Sequence, residues 1–212
     1  MCSGRVDLDF ILRAFSNGQD GVFIGGCRLN ECNYVTHGNY DALSNTHICR
    51  KIVKHIGLNP ERLSIEFMSG ADGNLLAEVT NKFTEKVRAL GPIGDGEGID
   101  KNRLKFNLEA LRKLVPYIKL VEREKLRVPI KSEKAYNDFY ESDEVNRLFN
   151  EIISDKLAIS QIMLLLEEKP LSTSDISEKL GLNPSEVSKH MSHSSMHGLV
   201  RYDVNRNCYA IA

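Results

Sequence analysis

Three cysteines near the start of the chain have the side chains best suited to metal or redox chemistry. Cys2 lies at the beginning, Cys27 directly follows two glycines, and four residues separate Cys27 from Cys32. Cysteine thiolates are the usual ligands of iron–sulfur clusters and of many zinc sites. Buried free cysteines are also common as small apolar residues. The types and spacing therefore leave two interpretations open, a metal or iron–sulfur site and three core residues.

The elements predicted around these cysteines place them at one edge of a sheet. The apolar run 22–24 stops at Gly25 and Gly26, which is typical of a buried parallel strand that delivers Cys27 to its carboxyl end. Cys2 precedes a segment whose apolar residues recur at helical spacing. It therefore has the same strand-to-helix position as Cys27, one strand–helix unit earlier in the chain. Sites in open α/β sheets form at the carboxyl ends of strands. We therefore expect the sulfurs of Cys2, Cys27 and Cys32 to lie close together.

The other two cysteines are expected to be structural. Cys49 stands among apolar residues of a predicted helix, and Cys208 stands in a predicted strand. A disulfide is not expected, since the chain has five cysteines in 212 residues and shows no secretory signal.

Composition describes an ordinary globular protein with a net charge of −1. No apolar run approaches the roughly 20 residues of a membrane span, and we expect a cytoplasmic location. Residues 101–131 are rich in Lys and Arg, whereas most of the charged residues in 132–155 are Asp or Glu. Two solvated helical faces explain this pattern, and a docking surface for an acidic partner is the alternative.

Three segments are predicted along the chain. Residues 1–95 alternate strands and helices, which favours an α/β fold, a small parallel-sheet three-layer domain that is incomplete at its amino terminus. Residues 96–155 form a helical linker region that opens with a glycine-rich break, and Pro116 is expected to end or kink its first helix. Residues 156–212 are typical of a winged helix-turn-helix domain.

The winged helix is predicted from capping signals. Ser172 caps a second helix after the helix 157–168, Asn183 and Pro184 open a third helix, and residues 199–203 and 208–211 form the wing. Six basic and six acidic side chains follow residue 155, so this segment is neutral. DNA affinity depends on phosphate neutralisation, and we expect this domain to bind protein rather than nucleic acid. His193 and His197, four residues apart, could share a metal, but no thiol or carboxylate partner is evident nearby.

No hydrolase or phosphate-loop motif occurs in the chain, which predicts a subunit without an independent active site. The amino-terminal part instead resembles the delta subunit of methyl-viologen-reducing hydrogenase, an iron–sulfur protein that joins hydrogenase to heterodisulfide reductase. The resemblance covers residues 1–92. It rests on residues 2–7 (Cys-Ser-Gly-Arg-Val-Asp), 20–27 (Asp-Gly-Val-Phe-Ile-Gly-Gly-Cys), 32–34 (Cys-Asn-Tyr), 38–40 (Gly-Asn-Tyr), 58–63 (Leu-Asn-Pro-Glu-Arg-Leu) and 90–92 (Leu-Gly-Pro).

The resemblance implies a [2Fe–2S] cluster with Cys2, Cys27 and Cys32 as ligands. It also implies electron transfer between a hydrogenase or formate dehydrogenase module and a heterodisulfide-reductase-type flavoprotein. The family carries a further Cys-x-x-Cys pair on an earlier strand, and a [2Fe–2S] cluster normally takes four ligands. Either that pair precedes Met1 in the natural protein or this paralogue has lost its cluster, so we expect an incomplete or absent cluster in this chain alone. A redox-responsive winged-helix regulator and a clusterless docking scaffold are the alternative functions.

Overall fold

The computed structural model of the protein describes residues 2–34 and 37–212. By their contacts the residues form two compact units, 1–149 and 150–212. The boundary falls inside a long helix, and the helices that follow residue 100 belong with the amino-terminal unit up to residue 149. The division into residues 1–95, 96–155 and 156–212 stays a prediction.

The amino-terminal unit opens with alternating helices and strands, as its apolar pattern predicts. A 3₁₀ turn at Ser3–Arg5 precedes the elements α1 Leu8–Ser16, β1 Val22–Gly26, α2 Asn39–His55, β2 Leu63–Phe67 and α3 Gly73–Leu90. Strands β1 and β2 are parallel, with Ile24 opposite Ile65. They are the two strands of this sheet within the described part of the chain, so the predicted small parallel sheet is confirmed.

The sheet separates two helical layers. Phe23 of β1 contacts Phe83 of α3, with ring centroids 5.7 Å apart. The next residue, Ile24, points to the opposite face and is buried. Helices α1 and α2 contact each other, and they contact β1 and β2 respectively. Their apolar stripes, which include Leu8, Leu12 and Ile52, are fully buried and form the core.

Three further helices are α4 Lys101–Lys125, α5 Glu133–Glu141 and α6 Asp143–Glu168. Of the two outcomes expected for Pro116, an end of the helix does not occur, because α4 continues through it. Pro116 lies on the exposed face, where water can satisfy the carbonyl that loses its amide partner. Val115 and Ile118 on the other face are buried and hold the helix together.

Arg62 anchors the glycine-rich segment that follows α3. Its side chain is 1% exposed, and its guanidinium forms an ion pair with Glu97, with Nε 2.6 Å from Oε1. The remaining donors reach backbone carbonyl oxygens of Asp20 and Gly91 at 2.9 Å and of Leu90 and Pro92 at 3.3 Å. A buried charge is tolerated only when it is paired and hydrogen-bonded, and Arg62 meets both conditions.

The carboxyl-terminal unit is the predicted winged helix. It contains the end of α6 and the elements α7 Thr173–Leu180, α8 Pro184–Met196, β3 Val200–Asp203 and β4 Cys208–Ile211. The capping boxes at Ser172 and Asn183 are present. The helix predicted over 157–168 is the end of one longer helix, α6, because neither glycine nor proline interrupts its apolar stripe. None of the helices in the described ranges is both long and apolar enough to cross a bilayer.

Candidate functional site

The three cysteines singled out in the sequence lie together at the carboxyl end of β1. The Sγ atoms of Cys2 and Cys32 are 3.6 Å apart. Partial desolvation raises the pKa of the Cys27 thiol, and its interactions with Cys32 and then with Cys2 raise it further, which places it near both. Two thiolates bound to one tetrahedral metal at about 2.3 Å are separated by about 3.8 Å. The separation of Cys2 and Cys32 is therefore suitable for shared ligation.

The thiols are grouped but do not surround a metal position. Among residues 2–34 and 37–212, no three or more His, Cys, Asp or Glu side chains are arranged so that they could hold a metal ion. Cys27 is exposed, whereas Cys2 and Cys32 are half-buried. The role of the three cysteines as cluster ligands stays a prediction, but their proximity is a feature of the structure.

Two glycines bring the cysteine segments close together. A Cβ atom at Gly38 would lie 2.6 Å from Cys32 Sγ and 2.3 Å from the carbonyl oxygen of Tyr34. A Cβ atom at Gly4 would lie 2.5 Å from the carbonyl oxygen of Gly38. Since real Cβ atoms do not make such contacts, only glycine permits this approach of the backbones. The turn that carries Cys2 therefore packs directly on the segment after Cys32.

The start of α2 fixes the loop that carries Cys27. The side-chain Nδ2 of Asn39 donates hydrogen bonds to the carbonyl oxygens of Cys27 and Arg28, both at 2.8 Å, and lies 3.8 Å from Cys27 Sγ. The Tyr40 hydroxyl lies 3.0 Å from Asn30 Oδ1. The first two side chains of one helix thus contact both sides of the loop.

The loop has two further attachments in the amino-terminal unit. Arg28 forms an ion pair with Asp72, the residue before α3, with Nη2 2.6 Å from Oδ2. The Tyr40 hydroxyl is also 2.9 Å from the carbonyl oxygen of Lys131, in the segment between α4 and α5. The cysteine loop is therefore connected to elements on both sides of the sheet.

The electrostatic environment favours ionisation of one thiol. The backbone N–H of Tyr34 lowers the pKa of Cys32, burial opposes this, and the backbone N–H of Asn39 lowers the pKa further. Asn39 is the first residue of α2, where free N–H groups and the helix dipole stabilise an anion. A thiolate at Cys32 is the form that a metal or a cluster iron binds.

Gly38, Asn39 and Tyr40 are the site residues to which sequence reasoning gave no role. They are part of the family resemblance, but no known sequence motif assigns a function to these three residues. The usable signal was their position, a Gly-Asn-Tyr run that lies between the cysteines and the start of a predicted helix.

The remaining candidates belong to other elements of the chain. Cys49 is fully buried in α2, and Cys208 is buried in β4, so their structural roles are confirmed. The rings of His193 and His197 contact each other edge to face, with centroids 4.6 Å apart. His190, on the same helix, is 8% exposed and packs inward.

Residues 1–91 match the family described as methyl-viologen-reducing hydrogenase, delta subunit. Residues 160–201 match the family described as bacterial regulatory protein, arsR family. The second match covers most of the winged helix.

Each of the curated relatives described here matches less than half of the chain. The chain is 45% identical over 91 residues to an iron-sulfur subunit of the F420-non-reducing hydrogenase of Archaeoglobus profundus, a match that covers 43% of this chain and 66% of that protein. It is 33% identical over 92 residues to a vhu iron-sulfur subunit of the F420-non-reducing hydrogenase of Methanopyrus kandleri, a match that covers 43% of this chain and 69% of that protein.

A second kind of relative is much larger. The chain is 43% identical over 94 residues to one subunit of the ferredoxin/F420H2-dependent CoB-CoM heterodisulfide reductase of Methanosarcina acetivorans. That match covers 44% of this chain but spans only 12% of the reductase protein. Since the matches include all three grouped cysteines and most of a hydrogenase iron-sulfur protein, the chain belongs to the family of methyl-viologen-reducing hydrogenase delta subunits.

Proposed function

We propose that this protein is an electron-transfer subunit that binds a [2Fe–2S] cluster through Cys2, Cys27 and Cys32. The observation that carries the proposal is the convergence of the three thiols, with Cys2 and Cys32 at the spacing of two ligands on one metal. A [2Fe–2S] cluster, when bound, accepts and donates one electron. Hydrogenase relatives that are named as iron-sulfur subunits support this assignment.

Cys2, Cys27 and Cys32 would supply three of the four thiolates that such a cluster requires. Thiolates are its standard ligands, and the lowered pKa of Cys32 favours the binding form. A group other than these three cysteines would provide the fourth ligand. Accordingly, a cluster held by these three thiols alone is expected to be labile.

The position of the site suits exchange of electrons with another protein. Cys27 is exposed at the end of β1, so a partner could approach one ligand directly. The chain would hold the cysteines in place and control access of water, whereas the redox chemistry would belong to the cluster. No catalytic side chain is needed for this role.

We propose that a hydrogenase or formate dehydrogenase module supplies electrons and that a heterodisulfide-reductase-type flavoprotein accepts them. The names of the relatives include hydrogenase and heterodisulfide reductase subunits, which supports this choice. A segment similar to residues 1–91 forms part of a heterodisulfide reductase protein itself, which supports a place beside such a flavoprotein.

Electron transfer between purified partner modules tests this function. Reduction of the flavoprotein by the donor module should require the reconstituted chain and should be lost with Cys27→Ser. Cys208→Ser, in the carboxyl-terminal unit, should leave the rate unchanged. Equal rates with and without the chain would refute the proposal.

A redox-responsive DNA-binding regulator is the second candidate, and the arsR-family match of residues 160–201 favours it. The electrostatics oppose it, because Lys189 is the one lysine or arginine on α8. Specific DNA binding normally involves several phosphate contacts and weakens steeply with salt. Fluorescence anisotropy should show weak binding of the promoter duplex that disappears at moderate salt. Tight, promoter-selective binding that Lys189→Glu abolishes would establish the regulator and refute the prediction that the winged helix binds protein.

A further inference from the structure

Asn39 is a buried polar residue whose hydrogen bonds are directed almost entirely at the cysteine loops. The residue is 1% exposed, although it stands at the start of a helix. Both hydrogens of its amide nitrogen are used, one on the carbonyl oxygen of Cys27 and one on that of Arg28, at 2.8 Å each. Buried amides that are fully paired fix the geometry around them.

The same residue also contacts the second cysteine segment. Its backbone N–H faces Cys32 closely enough to lower the pKa of that thiol, and its side-chain nitrogen lies 3.8 Å from Cys27 Sγ. Cys27 and Cys32 flank the turn 28–31, and Asn39 is near both. A change in its side chain would move one thiol relative to the other.

We propose that Asn39 is a positioning residue that holds Cys27 beside Cys32 and Cys2 and raises the reduction potential of the bound cluster. The positioning part stands on the protein alone, whereas the effect on potential rests on the function proposed above. Hydrogen-bond donors beside cluster sulfurs stabilise the reduced, more negative state. The backbone N–H of Asn39 faces Cys32, and its amide nitrogen, although bonded to two carbonyl oxygens, lies 3.8 Å from Cys27 Sγ.

Asn39→Asp is the informative substitution. It keeps the size of the side chain and suits the first turn of a helix, but it removes both donors and places a carboxylate against two carbonyl oxygens. Asn45→Asp is the matched control, since Asn45 lies on the same helix and donates from Nδ2 to the carbonyl oxygen of Val6 at 3.0 Å. Asn39→Ser serves as a second variant if the aspartate fails to fold.

The first measurement needs no cluster. Bridging of Cys27 and Cys32 in the reduced full chain by the bifunctional thiol reagent dibromobimane is followed by fluorescence, and the bridged pair is identified by peptide mapping. A misplacement of about 1 Å can slow a proximity-dependent reaction by about a hundredfold, so Asn39→Asp should slow bridging by at least about tenfold. Asn45→Asp should bridge at the wild-type rate. Equal rates for wild type and Asn39→Asp, or equal slowing by both variants, would overturn the proposal.

The second measurement separates positioning from the cluster assignment. In reconstituted protein, Asn39→Asp should lower the potential by about 59 mV if the equilibrium constant for reduction falls tenfold, and Asn45→Asp should not change it. An unchanged potential with slowed bridging would refute the tuning effect. If wild-type protein forms no cluster, the proposed function fails, and the bridging rates still decide whether Asn39 positions Cys27.

Discussion

Mild acid should destabilise the amino-terminal unit through one histidine, His47. Its ring lies against the ring of Tyr140 on α5, with centroids 4.9 Å apart and planes 7° apart. Its Nε2 atom is buried and has no hydrogen-bond partner among the described residues. Burial, together with the charges of Arg50 and Lys51, lowers the pKa of His47 from 6.5 to about 4, and a hydrogen bond with Asn137 opposes them.

The sign and size of the effect follow from the two pKa values. Because the folded state binds the proton less tightly than the unfolded state, this histidine costs stability as the pH falls below about 6.5, and the loss is complete below about 4. A tenfold difference in proton affinity is worth about 1.4 kcal/mol. The full loss is therefore about 3 kcal/mol, of which about 2 kcal/mol appears between pH 7 and pH 5.

Urea unfolding at a series of pH values tests this reasoning. Hydrogen–deuterium exchange of α2 and α5 peptides restricts the measurement to the amino-terminal unit. His47→Phe keeps a ring against Tyr140 but cannot be protonated, so its free energy of unfolding should fall by about 2 kcal/mol less than that of wild type between pH 7 and pH 5. Parallel pH profiles for wild type and His47→Phe would refute the account of this histidine.

Three other substitutions have defined outcomes. Arg62→Met should destabilise the amino-terminal unit by about 3–5 kcal/mol, because it leaves Glu97 buried without its partner; chemical unfolding measures this, and a loss below about 1 kcal/mol would contradict it. Gly38→Ala should slow bimane bridging of the cysteine site by about tenfold or more, because the clash with Cys32 Sγ displaces a reacting thiol. A wild-type rate would show that the backbones need not approach. Lys189→Glu should change affinity for random duplex by less than about threefold at physiological salt, and a loss of a hundredfold would show that α8 enters DNA.

Much of the fold could be predicted because its signals are local. The apolar run before Gly25 and Gly26 predicts β1, and the caps at Ser172 and Asn183 predict α7 and α8. Pro116 shows the limit of this reasoning. Its own preference opposes a helix, but burial of the opposite face of α4 outweighs it.

The grouping of the cysteines could be predicted, whereas the residues that arrange them could not. A strand end is recognisable in sequence, and parallel strands bring their ends to one edge. The role of Asn39 depends on contacts with Cys27 and Arg28 that lie 12 and 11 residues away and are made through a buried amide. Likewise, the need for glycine at position 38 depends on the close approach of Tyr34 and Cys32, which no local pattern encodes.

Cluster binding by the three grouped cysteines is the central claim, and anaerobic reconstitution with iron and sulfide measures it most directly. An added monothiol provides the fourth thiolate, and electron paramagnetic resonance of the reduced protein with iron and sulfide analysis reports the cluster. Wild type and Cys208→Ser should give a [2Fe–2S] signal that is lost with Ser at position 2, 27 or 32. No signal in wild type, or an undiminished signal when all three cysteines are serine, would contradict the claim.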